Sequence, residues 1–138
     1  MARYVIDAPT LLHLVSASVQ VRPEHQLLAP NVIRSQALSL LLAAVGNGEL
    51  SEDVALQRHD RLTELKMRLL GDRMSRRTAW KIAREQGWTT TYDAEYCAVT
   101  RLQADAFVTI DATMAAKVQG VIPTATLGAL TSTDTADA

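Results

Sequence analysis

Two short apolar runs, each closed by an aspartate, constrain the fold of this chain more than any other feature. Tyr4, Val5 and Ile6 end at Asp7, and Ala106 to Ile110 end at Asp111. The second run has strand length and little polar interruption, the pattern of a strand buried on both faces. Between the two runs the periodicity is helical. Pro9 suits a first helical turn ahead of Leu11, Leu12, Leu14 and Val15. From Pro30 to about Val45, the residues Ile33, Ala37, Leu40, Leu41 and Ala44 recur at helical spacing until Gly46 and Gly48 stop them. A second long helix is expected from Ser51, with Glu52 and Asp53 favoured by the helix dipole, through Ala55, Leu62, Leu65 and Leu69 to Gly71. A third runs from Ser75 to Gly87, and a fourth opens at Tyr92 or Asp93 with Ala94, Ala98 and Leu102 as its inner face. A short helix from Ala112 to Lys117 then precedes Val121 and Ile122, read as a last strand before Pro123. Strands alternating with helices, without a hairpin signal, predict an α/β fold with a central parallel sheet covered by helices.

The remaining composition narrows the function classes. A chain of 138 residues, 48% hydrophobic, is one domain with enough apolar side chains for a real core. Its formal charge of -1 excludes wholesale polybasic attraction to nucleic acid, so such binding would need a local patch. The one cysteine, Cys97, cannot form an intrachain disulfide, and no apolar run reaches membrane-spanning length. A cytoplasmic protein with no membrane association is expected. From Thr131 to Ala138 no apolar side chain exceeds alanine, which predicts a frayed tail.

In parallel sheets, ligands bind at the carboxyl ends of the strands, and Asp7 and Asp111 belong to that edge. Two carboxylates brought together there repel unless one is protonated or a cation lies between them. Oxygen donors suit Mg²⁺ or Mn²⁺, and His13, His25 and His59 are too scattered to suggest zinc. Each of Asp7, Asp93 and Asp111 also stands where a helix begins, so for any one alone a helix cap is the stronger reading, and only together do they favour a metal. Gln36 lies three residues after Ile33 and four before Leu40, on the same stripe, and a buried amide there needs a partner.

The stretches YVIDAPTLL at 4 to 12, LLAPNVIRSQALSLL at 27 to 41 and TTYDAEYCAVTRLQADAFVTID at 90 to 111 resemble a PIN domain, most closely the VapC-type toxin ribonucleases. The resemblance spans residues 1 to 123 with its blocks in order, and leaves 124 to 138 as a C-terminal extension, flexible at its end. It implies a three-layer PIN-like fold and an endoribonuclease dependent on Mg²⁺ or Mn²⁺, the toxin of a type II toxin and antitoxin pair. It further implies a cognate antitoxin and a homodimer. By position it assigns Asp7, Asp93 and Asp111 as metal ligands. Gln36 stands where the family pattern carries glutamate, so it joins the catalytic set without a charge; a relative that binds RNA with weak or lost cleavage is the alternative. Thr10 and Thr109 offer hydroxyls near the site. Glu95 is either a substitute acid or a solvated, ion-paired one.

Lys66, Arg68, Arg73, Arg76, Arg77, Lys81 and Arg84 lie close in sequence against the single acid Asp72. Arg73, Arg76 and Arg77 are the candidates for RNA phosphates, with Lys66, Arg68 and Lys81 a solvated face. Trp80 and Trp88 can stack on bases, although tryptophans at helical spacing are more commonly core. The segment from Ser75 through Gly87 into the next helix also has helix-turn-helix spacing, a DNA-binding alternative.

Overall fold

A computed structural model describes residues 1–131. Among them the chain alternates β1 (Arg3–Ile6), α1 (Ala8–Ser16), β2 (Gln26–Pro30), α2 (Val32–Gly46), α3 (Glu52–Glu64), β3 (Arg68–Leu70), α4 (Arg73–Gln86), α5 (Tyr92–Gln103), β4 (Ala106–Val108), α6 (Ala112–Val118), β5 (Thr124–Ala125) and α7 (Leu127–Thr131). Every strand pair is parallel, in the order β3-β2-β1-β4-β5. The chain therefore steps outward from β1 to β3, then crosses back over the sheet to β4 and β5. Right-handed crossovers put the helices of the two journeys on opposite faces. Accordingly α1, α2 and α3 pack on one another, while α4 packs on α5, which lies along β1, β2 and β4. The result is a three-layer α/β fold with an all-parallel sheet at its centre.

The core sits where the layers meet. Val5, Ile6, Leu28, Phe107 and Val108 of the central strands are fully buried, covered by Leu11, Ile33 and Ile82 from helices. Local chemistry then sets the ends of the elements. Asp7, Ser51, Asp72 and Asp111 each accept a backbone N–H of the helix they precede, satisfying donors the helix leaves orphaned. Gly87 ends α4 with φ 71°, the left-handed conformation that glycine adopts without a Cβ penalty. A Cβ placed on Gly87 meets nothing within 4 Å, so the cost of Gly87→Ala is purely conformational. We expect it to lower the free energy of unfolding by about 1 kcal/mol, read by urea denaturation.

The structure departs from the periodicity in several places, each for a physical reason. The helix expected from Ser51 to Gly71 stops at Glu64, and Leu69 instead enters β3. There Leu28, Ala29 and Pro30 pair with Arg68, Leu69 and Leu70, a ladder no local pattern reveals. β2 was likewise not anticipated. Leu40, Leu102 and Ile110 are 42%, 40% and 45% exposed, so none belongs to a core face. α2 is apolar nearly all round, and spacing alone cannot choose which side of such a helix is buried. The last strand forms at Thr124–Ala125, not Val121–Ile122, because Val121 closes a turn onto Val118 and the pairing partners of Phe107 and Val108 fall three residues later.

Residues 124 to 131 accordingly belong to the packed domain: β5 extends the sheet and Leu130 is fully buried. Residues 132 to 138, the rest of the expected tail, lie outside the described residues. The helix-turn-helix alternative also fails on packing. Ala94 and the run from Tyr96 to Thr100 bury the face of α5 against the sheet, leaving it no freedom to enter a DNA groove. No helix among the described residues is long and apolar enough to cross a membrane.

Candidate functional site

The strand order reverses between β1 and β4, and in such sheets the crevice outside the carboxyl ends at the reversal is where ligands bind. Asp7 follows β1 and Asp111 closes the turn after β4, so the fold brings the two aspartates to that crevice. Asp7 is 5% exposed. One carboxylate oxygen accepts the Thr10 hydroxyl at 2.5 Å and the Thr10 N–H at 3.3 Å; the other accepts the Thr109 hydroxyl at 2.6 Å. The same hydroxyls accept in turn: Ile110 N–H donates to Thr10 at 3.1 Å and Asp111 N–H to Thr109 at 3.0 Å. Two threonines therefore clasp the loop after β4 onto the carboxylate after β1. Burial raises the Asp7 pKa; the hydrogen bonds from Thr10 and Thr109 oppose it, and the charge of Asp111 adds to it.

Asp111 is exposed and caps α6, with one oxygen accepting Thr113 N–H at 2.9 Å and Met114 N–H at 3.4 Å. Its other oxygen accepts nothing from the described residues. Asp93, on the first turn of α5, is engaged differently. Its Oδ2 lies 2.7 Å from Lys117 Nζ, and that ammonium also sits 4.7 Å from the centroid of the Trp88 ring. Trp88 is half-buried against the core, as its helical spacing suggested, and its ring is also a platform for Lys117.

Between these acids stands a residue the sequence reading passed over. Tyr96 is 1% exposed, and its hydroxyl donates to Gln36 Oε1 at 2.5 Å. Burial raises its pKa far above the usual phenol value, and the charges of Asp7, Asp93 and Glu95 push it further in the same direction. Tyr96 is therefore a fixed neutral donor, and the partner that Gln36 was expected to need. The available signal was a tyrosine on a buried helical face, which requires a partner as much as the glutamine does. Glu95 is half-buried, with its pKa raised by burial and lowered by Arg76. That influence brings Arg76, on the first turn of α4, close to the acidic edge. Arg73, Arg76 and Arg77 are all exposed.

The edge therefore gathers Asp7, Asp111, Tyr96 and Gln36 with Asp93 and Glu95 within electrostatic reach, but it is not a closed metal cage. Among the described residues no three His, Cys, Asp or Glu side chains are grouped to hold an ion. The donor chemistry nevertheless fits a hard cation: Asp7 is a buried carboxylate next to a second one, and no Lys, Arg or His among the described residues forms an ion pair with either. The third expected ligand, Asp93, is held by a lysine. Cys97, beside it on α5, is inert, its thiol pushed up to about 12 by burial. A hollow of about 1080 Å³ lies at the opposite, amino edge of the sheet, near Met1, Gln26 and Arg68, and brings none of these residues together.

Fold and site together define a three-layer α/β protein with an acidic crevice at its switch point. A crystal structure of the protein PAE2754 from Pyrobaculum aerophilum is similar over 93% of this chain and 92% of its own, with a TM-score of 0.70 and 21% sequence identity. That likeness concerns the fold alone. No family model matches the chain, and no curated protein matches it.

Proposed function

We propose that the chain is a divalent-metal-dependent endoribonuclease of the PIN type, the toxin of a type II toxin and antitoxin pair. The observation that carries this reading is Asp7, a buried carboxylate at the switch point, held by two threonine hydroxyls beside Asp111 and without a cationic partner among the described residues. Burying such a charge is costly, and perturbed carboxylates in a crevice mark functional sites. Asp7, Asp93 and Asp111 would hold Mg²⁺ or Mn²⁺. When bound, the ion supplies Lewis acidity toward a phosphodiester and its attacking water.

The chain's own residues do the positioning. Thr10 and Thr109 fix the Asp7 carboxylate in one orientation. Tyr96 engages the Gln36 carbonyl oxygen, so the donor left over is the Gln36 amide nitrogen, better suited to a water or a phosphate oxygen than to a cation. Arg73, Arg76 and Arg77, exposed at the start of α4, attract the RNA backbone. Exposed Leu38 and Leu42, one turn apart on α2, are apolar surface that a second copy of the chain would cover. The RNA target and an antitoxin covering the acidic edge would place the activity in the cytoplasm.

A second reading has its own support. Gln36 lacks a charge and Lys117 neutralises Asp93, and together these favour a PIN-like RNA-binding protein with weak or lost cleavage. Purified, partner-free chain incubated with RNA decides between them. Cleavage that requires Mg²⁺ or Mn²⁺ and falls in Asp93→Asn supports the nuclease; RNA bound but never cut with either ion would sink it. Lys117→Met gives a finer test. The pair is about a third exposed on each side, so its loss should cost no more than about 1 kcal/mol of stability. Freed from the ammonium, Asp93 should raise Mn²⁺ affinity several-fold in calorimetry.

A further inference from the structure

The acidic edge leaves one residue of α4 unused. Trp80 is 65% exposed, contrary to the expectation that its helical spacing makes it core. The buried face of α4 is taken by Ser75, Ala79, Ile82 and Ala83, so Trp80 stands on the solvent side of the helix. The same side is strongly basic. Within α4 the five residues Arg73, Arg76, Arg77, Lys81 and Arg84 face a single acid, Glu85, and none of the five forms an ion pair among the described residues. Arg77, Thr78 and Lys81 line a shallow hollow of about 390 Å³ with the indole. This is the combination that binds unpaired nucleic acid: an aromatic face for a base, flanked by cations for the phosphates on either side. A duplex hides its base faces and gains nothing from an indole.

Position adds to composition. α4 packs against α5, whose first turn carries Asp93 and Glu95, and Trp80 lies one helical turn on from Arg76, a rise of about 6 Å. A strand with one phosphate at the edge would therefore run along α4. We propose that α4 is a track for single-stranded RNA, with Trp80 stacking on an unpaired base while Arg77 and Lys81 hold the neighbouring phosphates. The choice of RNA rests on the proposed function; the preference for an unpaired strand rests on Trp80.

The test is binding without metal. In EDTA, a short labelled oligoadenylate should bind more tightly than a duplex RNA of equal length. Trp80→Ala should weaken single-strand binding about ten-fold, Trp80→Phe should retain most of it, and the dependence on salt should not change in either. Arg77→Gln should instead lower the slope of log affinity against log salt by about 0.7. The proposal is overturned if Trp80→Ala binds oligoadenylate as the wild type does, or loses duplex binding equally. It is also overturned if polyglutamate displaces the RNA from wild type but not from Trp80→Ala, which would make this face a seat for an acidic protein. Because Trp80 is exposed, its substitution leaves the core intact. Cleavage plays no part in the readout, so RNA held on α4 without being cut supports the track while counting against the nuclease.

Discussion

Asp7→Asn is expected to abolish metal-dependent RNA cleavage, by at least about 100-fold, while leaving the folded protein as stable as the wild type or more so. The two halves of that result have one cause. Asp7 is buried with a raised pKa, so folding disfavours its charged form relative to the unfolded chain. Asparagine is close to that neutral form in shape and keeps an oxygen for Thr10. The sign with pH follows. Between the ordinary carboxyl value of 3.8 and the raised value, the folded state binds more protons than the unfolded state. The Asp7 contribution to stability therefore falls as pH rises through that window, and stays unfavourable above it. The Asn variant should lack that part of the decline. Thermal melts of both proteins from pH 4 to pH 8 would check it: their difference should favour the variant at the upper end and shrink toward acid. If the charge of Asp7 served the fold, through the dipole of the helix it caps, the variant would instead lose stability without touching cleavage. A variant that melts well below wild type at pH 8 would assign Asp7 to the fold and not to the site.

The parts of the fold legible in the sequence were those whose signal is local. β1 and β4 were readable because each is an apolar run ended by an aspartate that must cap the next helix. β2 offers only Leu27, Leu28 and Ala29 before a proline, and β3 begins with an arginine; β2 takes its hydrogen bonds from β1 and β3, and β3 takes its own from β2. No periodicity within either segment carries that information. The site divides along the same line. Asp7 and Asp111 could be placed at one edge from the rule that strands of a parallel sheet end together. Tyr96 could not be paired with Gln36, nor Lys117 with Asp93, because those partners stand 60 and 24 residues apart and meet only through the packing of α2, α5 and α6. What the sequence described as three converging aspartates is two aspartates at the crevice and a third turned to a lysine. The acidic edge is thus weaker as a cation site than its residue list implied, and the polar side chains between the acids matter more.

Gln36→Glu is the substitution that should move the site furthest in the other direction. A glutamate there can still accept the Tyr96 hydroxyl, and the new charge joins Asp7, Asp93 and Glu95, all close enough to that hydroxyl to raise its pKa. In EDTA the added like charge has no counter-ion and is half-buried, so the melting temperature should fall below that of the wild type. Lowering the pH should recover it, because the crowded carboxyl takes up a proton sooner in the folded state than in the unfolded one. With Mn²⁺ the balance reverses: one more anionic oxygen should tighten the ion about ten-fold, and binding to the folded state alone raises its stability in proportion. The expected signature is therefore a variant that melts earlier than wild type in EDTA, gains more from Mn²⁺, and cleaves RNA faster at limiting ion. Calorimetric titration with Mn²⁺ and paired melts give both numbers without relying on activity. Unchanged Mn²⁺ affinity alongside the lower melt in EDTA would make Gln36 a structural partner of Tyr96. In that case Tyr96→Phe, which removes the hydroxyl and leaves the glutamine oxygen without its donor, should cost about 1 to 3 kcal/mol in wild type.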